Sequence, residues 1–416
     1  MEVQELMREN TAMKKKARAY AAETGEKYVT AQKHIAAQAP EPTAARFPAI
    51  ATLPIPAQIP SSIDEAREMY RDFRMPLGID ESGDIVEVDL AKNPHAVVFG
   101  GTGRGKTVLA LSVIESCRTA GWMIFIGDSP GSSYQALRQQ AGICAISLHA
   151  AEHVRMVRMV ADELRARQSD AISRRKAGER TPFRCPPLLL VLDDFGRMRT
   201  EVKHRYGNAW DLDSDIQLIL RTGREFKVHL IVTTQDPSPR SIPSSMLDNF
   251  SVRVALGRAN DREMVSTIAP SYARHEEAQR IVESIGKHDH GRGIVSLVDD
   301  DDNSRIVEFQ AFRSYTPGIL NYAPGSEVEI ALTEYKNQAS DKIPSLYPRF
   351  WFKIDGPNYG QSLADLYACP MVALDRPDGT PDPDMEQYDP FHSLYLGTPE
   401  ALPPLMLGFT EKPSSA

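Results

Sequence analysis

The sequence predicts an α/β fold in which helices flank a mostly parallel central sheet. Short apolar runs alternate with long helical stretches up to about Val298, and turn residues bound each run. The runs are Ala96–Phe99, Trp122–Ile126, Leu188–Leu192 and His229–Thr233. Strands that are buried on both faces need this continuous apolar character, so the alternation favours parallel strands joined by helical crossovers.

A glycine-rich loop follows the first run and precedes a helix. Residues Gly100–Thr107 fit the pattern G-x-x-x-x-G-K-S/T of phosphate-binding loops. Glycines let the backbone curl until its N–H groups face anionic oxygens, and the helix N-terminus adds unpaired amides. Lys106 is expected to reach the β- and γ-phosphates of ATP, and Thr107 is expected to bind Mg²⁺. The predicted nucleotide-binding residues are Gly100, Gly101, Thr102, Gly103, Arg104, Gly105, Lys106, Thr107 and Val108.

Two further strand ends supply candidate catalytic groups. The run Leu188–Leu192 leads directly into Asp193 and Asp194, and the next run leads to Gln235. A carboxylate at a strand end lies beside the phosphate loop, so Asp193 is predicted to hold Mg²⁺ through water. Asp194 is predicted to orient or deprotonate the attacking water. Gln235 is expected to contact the γ-phosphate or that water.

The composition limits the class of protein. The 416 residues carry a net charge of −8, which excludes a strongly basic nucleic-acid binder, so any DNA contact must come from a local patch. No apolar stretch is long enough to span a membrane, and the N-terminus lacks the pattern of a secretion signal. The four cysteines form no C-x-x-C pair. We expect a cytoplasmic protein with reduced thiols.

Residues from about 75 to 310 resemble the motor domain of the FtsK/SpoIIIE translocase family. Several segments of this chain match segments of that family and occur in the same order. One further match is the aspartate after the second core strand. The matching positions are Met75–Asp80, Asn93–Thr107, Asp128, Ala161–Arg167, Gly223–Gln235 and Leu247–Val254. The resemblance implies a RecA-like P-loop NTPase fold, ATP and Mg²⁺ as cofactors, and hydrolysis of ATP.

The resemblance also divides the chain into three parts. Residues 61–320 are predicted to form the FtsK-like ATPase domain. Residues 1–60 precede it as a helical arm and a proline-rich linker, because Glu5–Ala22 favours a helix and prolines recur from Pro40 to Pro60. Residues 321–416 are an acidic C-terminal extension of unknown role, whose aromatic residues predict folded or partner-bound structure up to about residue 395. The run Asp299–Asp302 is interpreted as a charged hairpin tip rather than a cation site.

Several features depart from the family pattern. Arg104 stands where the family has serine, a change expected to be tolerated in a solvent-facing loop. Asp194 stands where the family has glutamate, and the shorter carboxylate predicts slow or differently arranged hydrolysis. The family's membrane-spanning N-terminus and its DNA-reading winged-helix module are not recognisable in the sequence. The expectation is therefore a motor without the usual anchor or sequence reader.

Motors of this kind resemble hexameric rings in which an arginine of one subunit completes the site of its neighbour. Arg224 and Arg253 are the predicted catalytic arginines, with Arg221 and Arg258 as their neighbours. Each of them is alternatively a surface ion-pair residue. The basic stretch from Arg155 to Arg180 is interpreted as a solvated helix face, and a phosphate or subunit contact is the alternative.

Three functions remain open at this point. The first is an ATP-driven ring that translocates double-stranded DNA, in keeping with transfer of a mobile element. The second is a type VII secretion-like ATPase that engages protein substrates. The third is a nucleotide-gated assembly protein with weak hydrolysis, for which Asp194 is the main support. A membrane-anchoring protein is a further expected partner.

Overall fold

The computed structural model describes residues 47–180, 183–258, 262–269, 272–286, 288–298, 304–318, 322–353 and 362–395. Residues Ala49–Ala416 form one compact unit. The helices predicted for the N-terminal arm and the run Asp299–Asp302 lie outside the described residues. The domain boundary near residue 320 remains a prediction.

The strands include all four predicted core runs, each one or two residues longer or shifted by one. They are β1 (Ala51–Thr52), β2 (Met75–Ile79), β3 (Ile85–Val88), β4 (His95–Gly100), β5 (Met123–Asp128), β6 (Ile143–Ser147), β7 (Leu188–Asp193), β8 (Val228–Thr234), β9 (Val252–Leu256), β10 (Arg292–Val298), β11 (Ser304–Arg313), β12 (Phe350–Phe352) and β13 (Met371–Ala373). The alternating pattern did not predict β6 and β9, because β6 contains small residues and ends at Ser147, and Arg253 interrupts the apolar run of β9.

The helices separate the core strands, as the alternation predicted. They are α1 (Ile63–Met69), α2 (Lys106–Thr119), α3 (Ala150–Lys176), α4 (Phe195–Tyr206), α5 (Trp210–Thr222), α6 (Ser244–Leu247), α7 (Arg262–Ile268), α8 (Tyr272–Ser284), α9 (Glu327–Gln338) and α10 (Leu363–Ala368). Within the described ranges, no helix combines the length and the apolar character needed to cross a bilayer.

The central sheet is mixed and mostly parallel. Its strands lie in the order β3-β2-β11-β10-β9-β4-β8-β7-β5-β6, and β1 pairs with β11. Every neighbouring pair from β9 to β6 is parallel. The hairpins β2–β3 and β10–β11 extend the sheet with antiparallel strands. The sequence predicted both hairpins, but not their pairing with each other and with β9.

Helices cover both faces of the sheet, which confirms the predicted layers. Within β4, Val97 and Phe99 belong to the hydrophobic core that α3 and α5 close. Ala96 and Val98 belong to the core that α2 closes. Successive side chains of a strand point to opposite faces, so β4 is buried from both sides along its whole length.

The segment after β11 packs against the parallel end of the sheet. Trp351 and Phe352 of β12 share a core with α3. Arg155 of α3 donates a hydrogen bond from Nε to the carbonyl of Cys369 at 3.0 Å. The Tyr347 hydroxyl donates to the carbonyl of Gly121 at 3.0 Å. The aromatic residues of this segment thus contribute to a folded core.

Three histidines are buried as neutral side chains. The Nδ1 atom of His229, at the start of β8, donates to the carbonyl of Pro94 at 2.9 Å, and its Nε2 atom accepts from the Tyr70 hydroxyl at 3.0 Å. Burial lowers the pKa of His229 to about 4, and it lowers the pKa of His95 and of His153 to about 3. All three side chains are therefore uncharged in the fold at neutral pH.

Acidification is expected to destabilise the fold through these histidines. Below the unfolded-state pKa near 6.5, the unfolded chain binds protons that the folded chain does not, so stability falls as the pH drops. His229→Gln removes one such group and costs stability at pH 7.5. Its deficit relative to wild type should shrink by about 1 kcal/mol at pH 5.5. Urea unfolding at both pH values measures this change, and a deficit that stays constant would contradict a neutral His229.

Candidate active site

The carboxyl ends of β4, β8 and β7 meet at one edge of the sheet. The three strands are adjacent and parallel, with β8 in the middle. The glycine-rich loop follows β4, Asp193 ends β7 and Gln235 follows β8. Residues that are far apart in the sequence are thereby brought to one place.

The loop turns through left-handed backbone conformations before α2 begins. Gly103 and Gly105 have φ angles of 75° and 100°, which residues with a side chain rarely adopt. Gly105 is the N-cap of α2. Lys106, Thr107 and Val108 form the first turn of α2, so the unpaired amides of the helix start face the loop. This local geometry is that of an anion-binding nest.

The Lys106 side chain closes the loop from inside. Its Nζ atom donates to the carbonyls of Gly100 at 2.8 Å and Gly101 at 3.2 Å. Burial lowers the pKa of Lys106, while the charges of Asp193 and Asp194 act in the opposite direction. The lysine therefore lies in a buried position whose positive charge is balanced by the acids at the end of β7.

Asp193 is buried between hydroxyl groups from two other segments. Its Oδ2 atom accepts from the Thr107 hydroxyl at 3.3 Å, and its Oδ1 atom accepts from the Thr233 hydroxyl of β8. Burial raises the pKa of Asp193, whereas the Thr233 hydrogen bond and the Lys106 charge lower it. Carboxylate and hydroxyl oxygens are the hard ligands that Mg²⁺ prefers, so Thr107 and Asp193 fit a magnesium site.

Asp194 is linked to the phosphate loop by a chain of hydrogen bonds. The Thr102 hydroxyl donates to Gln235 Oε1 at 2.8 Å, and Gln235 Nε2 donates to Asp194 Oδ2 at 3.2 Å. Asp194 has a left-handed backbone with φ of 52°, and its amide donates to the Thr233 hydroxyl at 3.1 Å. Backbone strain at a residue that is not glycine is typical of functional sites. An open cavity of about 450 Å³ borders Asp194 and Gln235.

Asp128 holds the loop that follows β5. It ends β5, in register with Asp193 of β7. Its carboxylate accepts from the amides of Gly131 at 3.1 Å, Ser133 at 3.0 Å and Tyr134 at 3.2 Å. These bonds commit the side chain to shaping the loop after β5.

The two predicted catalytic arginines lie away from the pocket of their own chain. Arg224 lies just before β8, at the amino end of that strand, and its Nε atom donates to the carbonyl of Ala91 at 2.8 Å. The guanidinium of Arg253 donates to three main-chain carbonyls. Those carbonyls belong to Phe250, Thr267 and Leu247. A role of either arginine across a subunit interface remains a prediction.

The neighbouring arginines have different surroundings. Arg258 is exposed just beyond the carboxyl end of β9, whereas Arg221 is exposed in the last turn of α5. The Arg104 side chain packs over Gly257, where an added Cβ would lie 2.5 Å from the arginine Cδ atom. The arginine that replaces the family serine is thus accommodated by a glycine at the end of β9.

The basic stretch of α3 is largely occupied by contacts within the chain. Arg158 and Arg165 both form ion pairs with the buried Asp215 of α5. Arg167 is buried, pairs with Glu163 and donates to the carbonyls of Pro186 and Phe226. The interpretation as a solvated helix face is therefore wrong for Arg158 and Arg167, which hold α3 against α5 and against the segments before β7 and β8. It agrees with the exposure of Arg165, Arg175, Lys176 and Arg180.

Sequence reasoning missed two residues that organise the site. Thr233 bonds both Asp193 and the amide of Asp194, and His290 bonds the carbonyl of Gly103 at 2.9 Å through Nδ1. Thr233 could have been found, because it precedes the carboxyl end of the strand next to β7. His290 had no such signal, because it lies in a loop far away in sequence.

The fold and the loop are those of P-loop nucleotide-binding proteins, and comparisons with known proteins show which of these proteins the chain resembles. Residues 63–119 match the FtsK/SpoIIIE family. DNA translocase FtsK of Borreliella burgdorferi is 25% identical over 221 residues, which cover 47% of this chain and 26% of that protein. Type VII secretion system protein EssC of Staphylococcus aureus is 26% identical over 219 residues, which cover 47% of this chain and 14% of that protein. The family match and the relatives support assignment of this chain to the FtsK/SpoIIIE type.

A solved structure with a similar fold is EssC (ATPases 2 and 3) from Geobacillus thermodenitrificans. Its TM-score is 0.50 at 15% sequence identity, and the match covers 79% of this chain and 62% of that one. At this identity the likeness concerns the fold alone. The chain spans well under half the length of the curated relatives named above.

Removal of the Thr233 hydroxyl is expected to destabilise the site. In Thr233→Val the buried Asp193 carboxylate and the Asp194 amide both lose a partner, which should cost about 1–3 kcal/mol of unfolding free energy. Thr234→Val is the matched control, since the bonds of Thr234 to Asp236 are long, at 3.3 and 3.4 Å. Urea unfolding compares the two variants. Equal losses would contradict the special role of Thr233.

Proposed function

We propose that this chain is an ATP-driven motor that translocates double-stranded DNA as a ring. The observation that carries the proposal is the Thr102–Gln235–Asp194 chain of hydrogen bonds. It connects the loop that would hold the γ-phosphate with the acid that would activate water. A motor needs such a link, because the state of the nucleotide must reach the parts of the protein that move. The similarity to a DNA translocase supports DNA as the cargo.

Several residues of this chain would have different roles in ATP hydrolysis. Lys106 would neutralise charge on the β- and γ-phosphates, and the loop amides would bind their oxygens. Asp194 would accept a proton from the attacking water, and Gln235 would fix the direction of that carboxylate. Thr107 and Asp193 would hold Mg²⁺, which supplies positive charge to the phosphates when bound.

Assembly into a ring, with six subunits as the proposed number, would place one subunit's arginine at its neighbour's site. Arg224 and Arg253 are the residues proposed from the family resemblance. We further propose a cytoplasmic location, which the free state of all four cysteines supports. A membrane-anchoring protein is proposed as a partner.

A protein cargo is the second candidate function. The similarity to a type VII secretion protein favours it, since the same motor fold is found in both groups. The effect of duplex DNA on ATP turnover distinguishes a DNA cargo from a protein cargo, because only a DNA motor couples its ATP turnover to DNA.

Duplex DNA is expected to stimulate ATP turnover by the wild-type protein. Lys106→Ala should abolish nucleotide binding, because the Lys106 ammonium lies against the loop carbonyls and is the charge expected to meet the β- and γ-phosphates. Asp194→Asn should bind nucleotide normally and lower kcat about 10²- to 10⁴-fold, as expected for loss of a general base. Steady-state phosphate release with and without DNA measures both effects.

Lys342→Ala is the control for these variants, since Lys342 is exposed in the segment after α9, outside the basic stretch of α3. It should behave as wild type. Turnover that no DNA changes would contradict the DNA motor and favour a protein cargo. Tight ATP binding without hydrolysis would favour a nucleotide-gated assembly protein.

Removal of divalent cations is expected to stop hydrolysis. Thr107→Val removes one proposed ligand and should raise the Mg²⁺ concentration for half-maximal turnover by about tenfold or more. Thr119→Val, at the other end of α2, is the matched control and should leave that concentration unchanged. Titration of Mg²⁺ at saturating ATP tests the assignment. An unchanged requirement in Thr107→Val would exclude this residue as a ligand.

A further inference from the structure

The phosphate loop is held from outside by residues that precede β10. His290 Nδ1 donates to the carbonyl of Gly103 at 2.9 Å. The amide of Gly291 donates to the carbonyl of Arg104 at 3.0 Å. Two consecutive carbonyls of the loop are therefore bonded by two consecutive residues of one distant segment, which we call the 290–291 clamp.

These two bonds act on consecutive peptides of the loop. The peptide whose carbonyl His290 holds has its amide, that of Arg104, bonded to the Gly101 carbonyl at 3.3 Å, so the His290 bond braces the turn of the loop. In a trans peptide the C=O and N–H groups point in opposite directions. The peptide from Arg104 to Gly105 has its carbonyl fixed toward Gly291, so its amide faces the concave side of the loop. A nest binds an anion only when its N–H groups converge in this way. The clamp thus orients the Gly105 amide and braces the turn before it without touching the anion.

The fit between the two segments requires glycine on both sides. An added Cβ on Gly105 would lie 3.0 Å from the Cα atom of Gly291. Gly291 itself has φ of 77°, and an added Cβ there would lie 3.0 Å from Nε2 of Gln310. This close approach brings the Gly291 amide within reach of the Arg104 carbonyl.

The clamp is anchored in the antiparallel part of the sheet. Gln310 of β11 is buried, and its Nε2 atom donates to the carbonyl of His290 at 3.0 Å. The amide of Ala311 donates to the carbonyl of Gly291 at 2.8 Å. The clamp is therefore fixed relative to β11. Through its two bonds to the loop, it also fixes the loop relative to β11.

We infer that His290 is a positioning residue for nucleotide binding, which acts by fixing the Gly103 carbonyl and with it the turn that the Arg104 amide closes onto Gly101, next to the oriented amide of Gly105. The inference rests on the proposed function, since it assumes that the loop binds a nucleotide. The Gly105 amide and the turn that the clamp holds would face phosphate groups present in both ATP and ADP. Loss of the clamp should therefore weaken the binding of ATP and of ADP by the same factor. It should leave the rate of the chemical step unchanged.

The test is calorimetric titration of the full chain with ADP and with a non-hydrolysable ATP analogue, together with steady-state kinetics. His290→Ala should raise both dissociation constants and KM about 3- to 10-fold, the loss expected for one hydrogen bond, with kcat unchanged. His290→Asn places an amide nitrogen near the Nδ1 position and should restore binding to within about twofold of wild type. His204→Ala, at an exposed histidine of α4, is the control and should change nothing.

The outcomes separate the inference from the proposed function. If wild type binds nucleotide and His290→Ala binds it equally well, the clamp is not needed and the inference alone is overturned. A fall in kcat with unchanged KM would also overturn it, because the histidine would then act on the chemical step. If His290→Ala lowers the melting temperature and His290→Asn does not restore nucleotide binding, His290 has only a structural role and the inference is overturned. Failure of the wild type to bind either nucleotide would overturn the proposed function as well.

Discussion

The site depends on keeping two opposite charges, those of Lys106 and Asp193, buried near each other. Burial alone lowers the pKa of the lysine and raises the pKa of the aspartate, so each would tend to lose its charge. Each charge supports the other, and the Thr233 hydroxyl adds a hydrogen bond to the aspartate. The balanced pair suits a ligand that brings its own opposite charges, as a polyphosphate with a divalent cation does.

The strand order determines which structures can influence the phosphate loop. β4 carries the loop and lies between β8 and β9. On the side of β8, Gln235 links the loop to Asp194. On the side of β9 and β10, His290 and Gly291 bond the outer carbonyls of the loop. The parallel strands thus supply the proposed reacting groups, whereas the segment before the antiparallel strand β10 bonds the outer side of the loop.

Local patterns in the sequence predicted much of this arrangement. The loop Gly100–Thr107 is contiguous, and its shape follows from its own glycines, so a short motif was sufficient to predict it. Asp193 follows an apolar run, which places it at the carboxyl end of a strand. The contact of His290 with Gly103 joins residues 187 positions apart, and such contacts leave no periodic signal. The surroundings of Arg253 could not be predicted for the same reason, because tertiary packing determines which carbonyls it bonds.

The covered edge of the sheet bears on how subunits could meet. β6 is the last strand, yet all five of its residues are buried, because the segment after β11 packs over them. Phe350 stacks on Phe125, and Arg349 holds that segment together through ion pairs. A covered edge strand cannot pair with another chain, so a ring must use other surfaces. Arg258 is exposed beside the nucleotide edge, so it can reach a neighbour without breaking the carbonyl bonds that occupy Arg253.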